Sequence, residues 1–372
     1  MAFAYLKKLP RFDWLLVLGV FILFSIGIAA ITSVELSRGG AFSFVEKQLI
    51  ALLIGVVCAF LASMANPQVF RAYAKILYVV GIFLLLGLFV FGQTLNGTTG
   101  WYIIGGFALQ PVEIMKFALI LELARYFADE ARSPFGWKEF FGSGAKVLLP
   151  AALVLLQPDL GSAFLLIGIW AIVIFFAGLQ WRQFALLLGV GVIAFLLGWF
   201  VIFRDYQRDR ILTFLHPTSD PLKTSYNIVQ AQIAIGAGGI FGRGLGGGSQ
   251  SQLRFLPESQ SDFIFAVIAE ELGFLGVMIV FGAYVLVLSR MLVIARKSRD
   301  HFSSYLALGS FALFFIQVII HVGANLAMMP ATGIPLPFVS YGGTSLILSL
   351  MVLGVVESAA SSVRAVDWVE KR

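Results

Sequence analysis

Apolar runs long enough to cross a hydrocarbon layer of about 30 Å recur from one end of this chain to the other, which leaves few folds open to it. They fall near residues 13–32, 48–64, 76–92, 112–127, 147–157, 160–179, 183–203, 263–288, 304–328 and 340–361. Inside such a layer the backbone has to satisfy its own N–H and C=O groups, so runs of this kind are helices. Composition agrees: the 372 residues are 59% hydrophobic and 12% charged, with a mean hydropathy of +0.93. The longest polar stretch is about 204–262, and because apolar runs recur along the whole length no soluble domain of ordinary size can be cut out of the chain. The expected fold is therefore an all-α polytopic integral membrane protein of about ten transmembrane helices. It forms one domain over 1–372, with a long extracytoplasmic loop between helices 7 and 8.

Cys58 is the sole cysteine and lies in an apolar run, which excludes a disulfide framework. The opening MAFAYLKKLPRFDW is basic, but the run behind it is too long for a cleaved signal, so it reads as an uncleaved first helix. Pro158 disfavours helix at Gln157, and the stretch VLLPAALVLLQPDLGSAFLLIGIWAIVIFFAGL accordingly splits at QPDLG into a short helix and a full one. Most of the 26 Lys and Arg, among them Lys7, Lys8, Arg11, Arg290, Arg296 and Lys297, fall on one side of these spans. That side is cytoplasmic by the positive-inside rule, and both termini belong to it. The loop 93–115, QPDLG, the loop 204–262 and PATGIPLPFVSYGG then open to the outer face.

Each polar group near these spans has two readings. SQSD before an apolar run is a helix N-terminus, with Ser259 or Ser261 as cap and Asp262 favoured in the first turn; a catalytic carboxylate at Asp262 is the second, compatible reading. Glu270 and Glu271 follow roughly 12 Å further along, and carboxylates inside a membrane span mark function by default. Glu113 and Lys116 share a helical face at i,i+3, where they either neutralise each other or line a site. Asp159 either satisfies backbone donors freed at the break or takes part in chemistry. Gly242, Gly244 and Gly247 match G-x-G-x-x-G, but without a βαβ unit the match reads as a closely packed or flexible loop. Arg204, Arg208, Arg210 and Lys223 are solvated charge, headgroup contacts or a diphosphate site. His216, His301 and His321 are too scattered for a metal triad. With no clear internal repeat, an enzyme acting on a lipid-linked substrate fits these groups better than a secondary transporter does.

QPVEIMK, QPDLGSA, RDRILTFLHP, YNIVQAQIAIGAGGIFGRGLGGGSQSQLRFLPESQSDFIFAVIAEELG and PLPFVSYGGTSL follow one another in an order and spacing similar to the shape, elongation, division and sporulation (SEDS) family. The resemblance covers nearly the whole chain and is most specific over 204–280. GSQSQLRFLPE and a short chain without long tails resemble the elongation branch (RodA-like) more than the division branch (FtsW-like). It implies a peptidoglycan glycosyltransferase of the cytoplasmic (inner) membrane that polymerises lipid II at its outer face and releases undecaprenyl diphosphate; a lipid II flippase is the alternative. It also implies a class B penicillin-binding protein as transpeptidase partner, other membrane proteins of the elongation complex, and no nucleic acid.

By the same resemblance Asp262 is the catalytic residue, a general base on the acceptor's 4-hydroxyl. Glu113, Lys116 and Asp159 position substrate, and Arg210 faces the diphosphate. A divalent cation, Mg or Mn, is compatible with two carboxylates and a diphosphate without leaving a spacing signature. Three departures stand out: NGTTGWYIIGG lacks the family's basic residues before the tryptophan, Val112 replaces a usual serine, and SQSD replaces the commoner HTD.

Overall fold

The structure, a computed structural model, describes residues 12–39, 42–95, 98–104, 107–129, 135–203, 207–208, 211–212, 224–330 and 332–370. Helices α1 (Trp14–Ser37), α2 (Ser43–Met64) and α3 (Pro67–Phe91) lead to three short strands, β1 (Gln93–Leu95), β2 (Thr98–Ile104) and β3 (Phe107–Leu109). Then come α4 (Pro111–Asp129), α5 (Trp137–Leu156), α6 (Leu160–Ala177) and α7 (Trp181–Leu197), the last running into a π-helical turn, Gly198–Ile202. The chain continues through α8 (Thr224–Ala237), α9 (Ser249–Gln252), α10 (Ile264–Lys297), α11 (His301–Asn325) and α12 (Gly343–Glu370). Among the described residues nine helices are long and apolar enough to span a membrane, and the charged α4 packs among them as a tenth long helix. The expectation of about ten helices holds, and the protein is a multi-pass membrane protein.

Polar fastenings give the bundle a ruler. At one end Asp13 accepts from Arg290 at 2.6 Å while its own N–H donates to Glu357 at 2.8 Å. At the other, Ser33 Oγ donates to Glu271 at 2.5 Å. From Asp13 to Ser33 a helix climbs about 30 Å, one hydrocarbon thickness. Glu270 and Glu271 thus stand at a boundary of the apolar layer rather than in its middle. Asp262 lies beyond them, two residues before α10 begins at Ile264.

Three local features refine the sequence expectations. The break at QPDLG is present, but the helix before it is α5, a full 20 residues, because WKEFFGSGAK continues it on the polar side. The loop 93–115 contains an antiparallel sheet ordered β1-β2-β3, with Leu95 opposite Thr98 and Ile104 opposite Phe107. Asn96-Gly97 and Gly105-Gly106 lie between those pairs, and both dipeptides are strong two-residue hairpin signals. Finally, α10 is two helices joined across Gly273, whose φ is 65° and ψ −164°.

The glycine-rich segment after α8 repairs that break. Arg243 and Gly244 N–H donate to the carbonyls of Glu270 and Glu271, and the carbonyls of Gly239 and Ile240 accept from Phe274 and Leu275 N–H. Backbone groups freed at membrane depth need such partners, so the segment is a packed splice and not a flexible loop. A Cβ at Gly242 (φ 78°) would meet Glu271 O at 2.1 Å, whereas one at Gly244 (φ 86°) would meet nothing within 4 Å. Gly244→Ala carries only the left-handed strain of about 1–3 kcal/mol. Gly242→Ala adds a backbone collision. Thermal melts of the detergent-purified variants should show a clearly larger loss for Gly242→Ala, and equal losses would contradict the splice.

Candidate active site

Asp262 stands in a tight turn and not, as the capping reading expects, in the first turn of α10. The helix starts at Ile264 with Phe263 at its N-cap and no side-chain cap from that residue. Neither Ser259 nor Ser261 takes the cap, because the turn draws the local groups elsewhere. Glu258, in the left-handed region at φ 49°, offers its carbonyl to the N–H groups of Ser261, Asp262 and Phe263 at 3.1, 3.0 and 3.4 Å. Ser261 Oγ also turns to Glu258, 3.3 Å from its carboxylate.

Distant segments hold this turn from several sides. Ser340 Oγ donates to Ser261 O at 2.7 Å, and Tyr341 N–H donates to Gln260 O at 2.9 Å, so PLPFVSYGG fixes the turn along one edge. Arg38, just past α1, donates to Gln260 Oε1 at 2.8 Å. Asn325, the last residue of α11, donates to Asp262 O at 3.0 Å. The half-buried Asp262 carboxylate faces Gly333, where a Cβ would lie 3.6 Å from Oδ2. That loop is itself anchored, since His321 Nδ1 lies 2.9 Å from Ile334 O and Tyr284 donates to Pro337 O at 2.6 Å.

Asp159 stands two residues before a close approach to the same loop. It is the N-cap of α6, accepting from Ser162 N–H at 2.9 Å, which is the backbone-satisfying role read from QPDLG. Two residues on, Gly161 is so close to the loop that a Cβ would meet Thr332 O at 2.9 Å. The sheet lies at this end as well: Thr99 N–H points to Gln157 O at 3.4 Å, and Thr344 Oγ1 donates to Ala108 O at 2.9 Å. The QPDLG break, the sheet, the loop 332–334 and Asp262 therefore gather at one end of the bundle.

Glu113 and Lys116 form a buried ion pair at 2.6 Å, 6% and 3% exposed. Their helix, α4, packs against α11, the helix whose last residue donates to Asp262 O. Arg210 lies outside the described residues, as do Arg204 and Lys223. Among the described residues no three His, Cys, Asp or Glu side chains converge as a metal site.

Sequence reasoning did not find what Glu270 and Glu271 do. Glu270, fully buried, accepts from the N–H groups of Gln250 and Ser251 at 2.8 and 3.0 Å, at the start of α9. Glu271 accepts from Ser33 and, at 3.2 Å, from Gln252 Nε2. They bind the glycine-rich segment to the bundle. Their partners are some twenty residues back or in α1, beyond any local pattern.

A model of the cell cycle protein family FTSW_RODA_SPOVE matches residues 8–365 of the sequence. The chain belongs to this family. It is 37% identical over 326 residues to the peptidoglycan glycosyltransferase MrdB of Escherichia coli K12, covering 87% of each chain. It is 34% identical over 368 residues to a probable peptidoglycan glycosyltransferase FtsW of Trichlorobacter lovleyi, covering 96% of this chain and 95% of that one. Among solved structures it superposes with a TM-score of 0.81 on a chain of a peptidoglycan synthase complex described as coordinating polymerization and crosslinking. That match has 30% identity and covers 95% of this family member and 98% of the solved chain.

Proposed function

We propose that the chain is a peptidoglycan glycosyltransferase that polymerises lipid II during cell elongation, as one catalytic domain over 1–372. The observation that supports this best is Asp262: a carboxylate beyond the apolar boundary, on a turn held by Arg38 just past α1, Asn325 of α11 and Ser340, with Gly333 facing its side chain. A base must reach a sugar hydroxyl while the substrate's lipid stays in the bilayer, and this position meets both demands.

In the proposed reaction Asp262 takes the proton of the acceptor sugar's 4-hydroxyl. The oxygen attacks the donor's anomeric carbon, and the bond to the diphosphate breaks, its electron pair leaving with undecaprenyl diphosphate. Arg210 offsets the charge that develops on that leaving group, and Glu113, Lys116 and Asp159 position the sugars. The site faces outward from the cytoplasmic membrane with both termini inside, in keeping with the Lys and Arg bias. A class B penicillin-binding protein crosslinks the strands, and other elongation-complex proteins attend.

Relatives named for both branches match the chain, and GSQSQLRFLPE favours elongation over division. Expression in cells depleted of their own elongation polymerase tests the reading. The chain should restore rod-shaped growth and Asp262→Ala should not. Rescue of division mutants alone would overturn the branch assignment, and growth supported by Asp262→Ala would point to a noncatalytic scaffold.

A further inference from the structure

The helix that carries Asp262 begins without a cap of its own, and its missing cap comes from another helix. Asn325, fully buried at the end of α11, spends its whole amide on this junction. Nδ2 donates to Asp262 O at 3.0 Å and to His321 O at 2.9 Å, and Oδ1 accepts from Ala266 N–H at 3.3 Å. Ala266 is the third residue of α10, where an N-terminal cap normally supplies its acceptor. One amide therefore grips the peptide of Asp262 and the first turn of the helix behind it.

His321, one turn earlier, completes the grip. A carbonyl only accepts, so the 2.9 Å contact with Ile334 O places a proton on Nδ1. That bond holds the loop whose Gly333 lies against the Asp262 carboxylate. The final turn of α11 thus sets both the peptide that carries the carboxylate and the wall in front of it.

We infer that Asn325 is a positioning residue for glycosyl transfer, fixing the Asp262 carboxylate through its own peptide and the start of α10; this rests on Asp262 being the base. Loss of the amide should leave substrate binding nearly intact and misplace the base. Displacements on the order of 1 Å cost up to about 10²-fold in rate. Asn325→Asp is informative because a neutral carboxyl group can still donate to one of the two carbonyls and accept from Ala266 N–H, whereas a carboxylate only accepts and would face both carbonyls.

Steady-state polymerisation of lipid II by purified Asn325→Ala, Asn325→Asp and Asp262→Asn, measured across pH, separates the possibilities. Asn325→Ala should lose about 10–100-fold in kcat with KM within about two-fold. Asn325→Asp, as a fraction of wild type at each pH, should recover as pH falls, while Asn325→Ala stays flat. Should Asn325→Ala fail to fold, the pH trend of Asn325→Asp carries the test alone. Near-normal kcat in Asn325→Ala, or an Asn325→Asp fraction that does not change with pH, overturns the inference while an inactive Asp262→Asn leaves the base in place. An active Asp262→Asn removes the base and this inference together.

Discussion

Asp262→Asn should polymerise lipid II about 10²–10⁴-fold more slowly than the wild type, the usual worth of general acid–base catalysis. Expression and melting temperature should change little. Asparagine keeps the side chain's size, and the turn is held by backbone carbonyls and by Asn325, Ser340 and Tyr341, none of which needs a charge at position 262. If the residue only shaped the helix start, asparagine would serve as well as aspartate. A folded Asp262→Asn protein with near-normal turnover would shift attention to Asp159 and Glu113.

Lys116→Met should cost on the order of 3–5 kcal/mol, since it strands the Glu113 carboxylate in a site only 6% exposed. Removing both charges by Glu113→Gln with Lys116→Met should restore most of that stability, because a buried pair adds little beyond its own cost of desolvation. Activity then separates the two readings of the pair. A stable double variant without polymerisation makes the pair part of the substrate site. One that polymerises normally reduces it to charge balance in a short helix. Melting temperature and initial rate on the same three proteins, wild type included, decide the matter.

The helical scaffold was legible because its signal is local and strong. Apolar runs set the spans, and Pro158 marked the break between α5 and α6. The sheet was not read from the sequence: Asn96-Gly97 and Gly105-Gly106 are hairpin signals, but β1 and β3 are only three residues long, too short to show an alternation of their own. The break at Gly273 was not. A single glycine in an apolar helix is ordinary, and only Gly239–Gly244 packed beside it makes the break stable. The site followed the same division. Asp262 and Asp159 stand out by residue type at helix starts, and Glu113 with Lys116 by spacing. Asn325 and His321 carry no motif, since their role depends on the end of α11 meeting the start of α10.

Purified protein, with a class B penicillin-binding protein present, given lipid II in detergent and scored for polymer length and released undecaprenyl diphosphate, bears most directly on the proposed activity. Detergent has no two sides to transport between. Glycan strands should accumulate, with one undecaprenyl diphosphate released for each disaccharide joined. Unchanged lipid II beside a folded, monodisperse complex would contradict a polymerase and leave the chain a transporter or a scaffold.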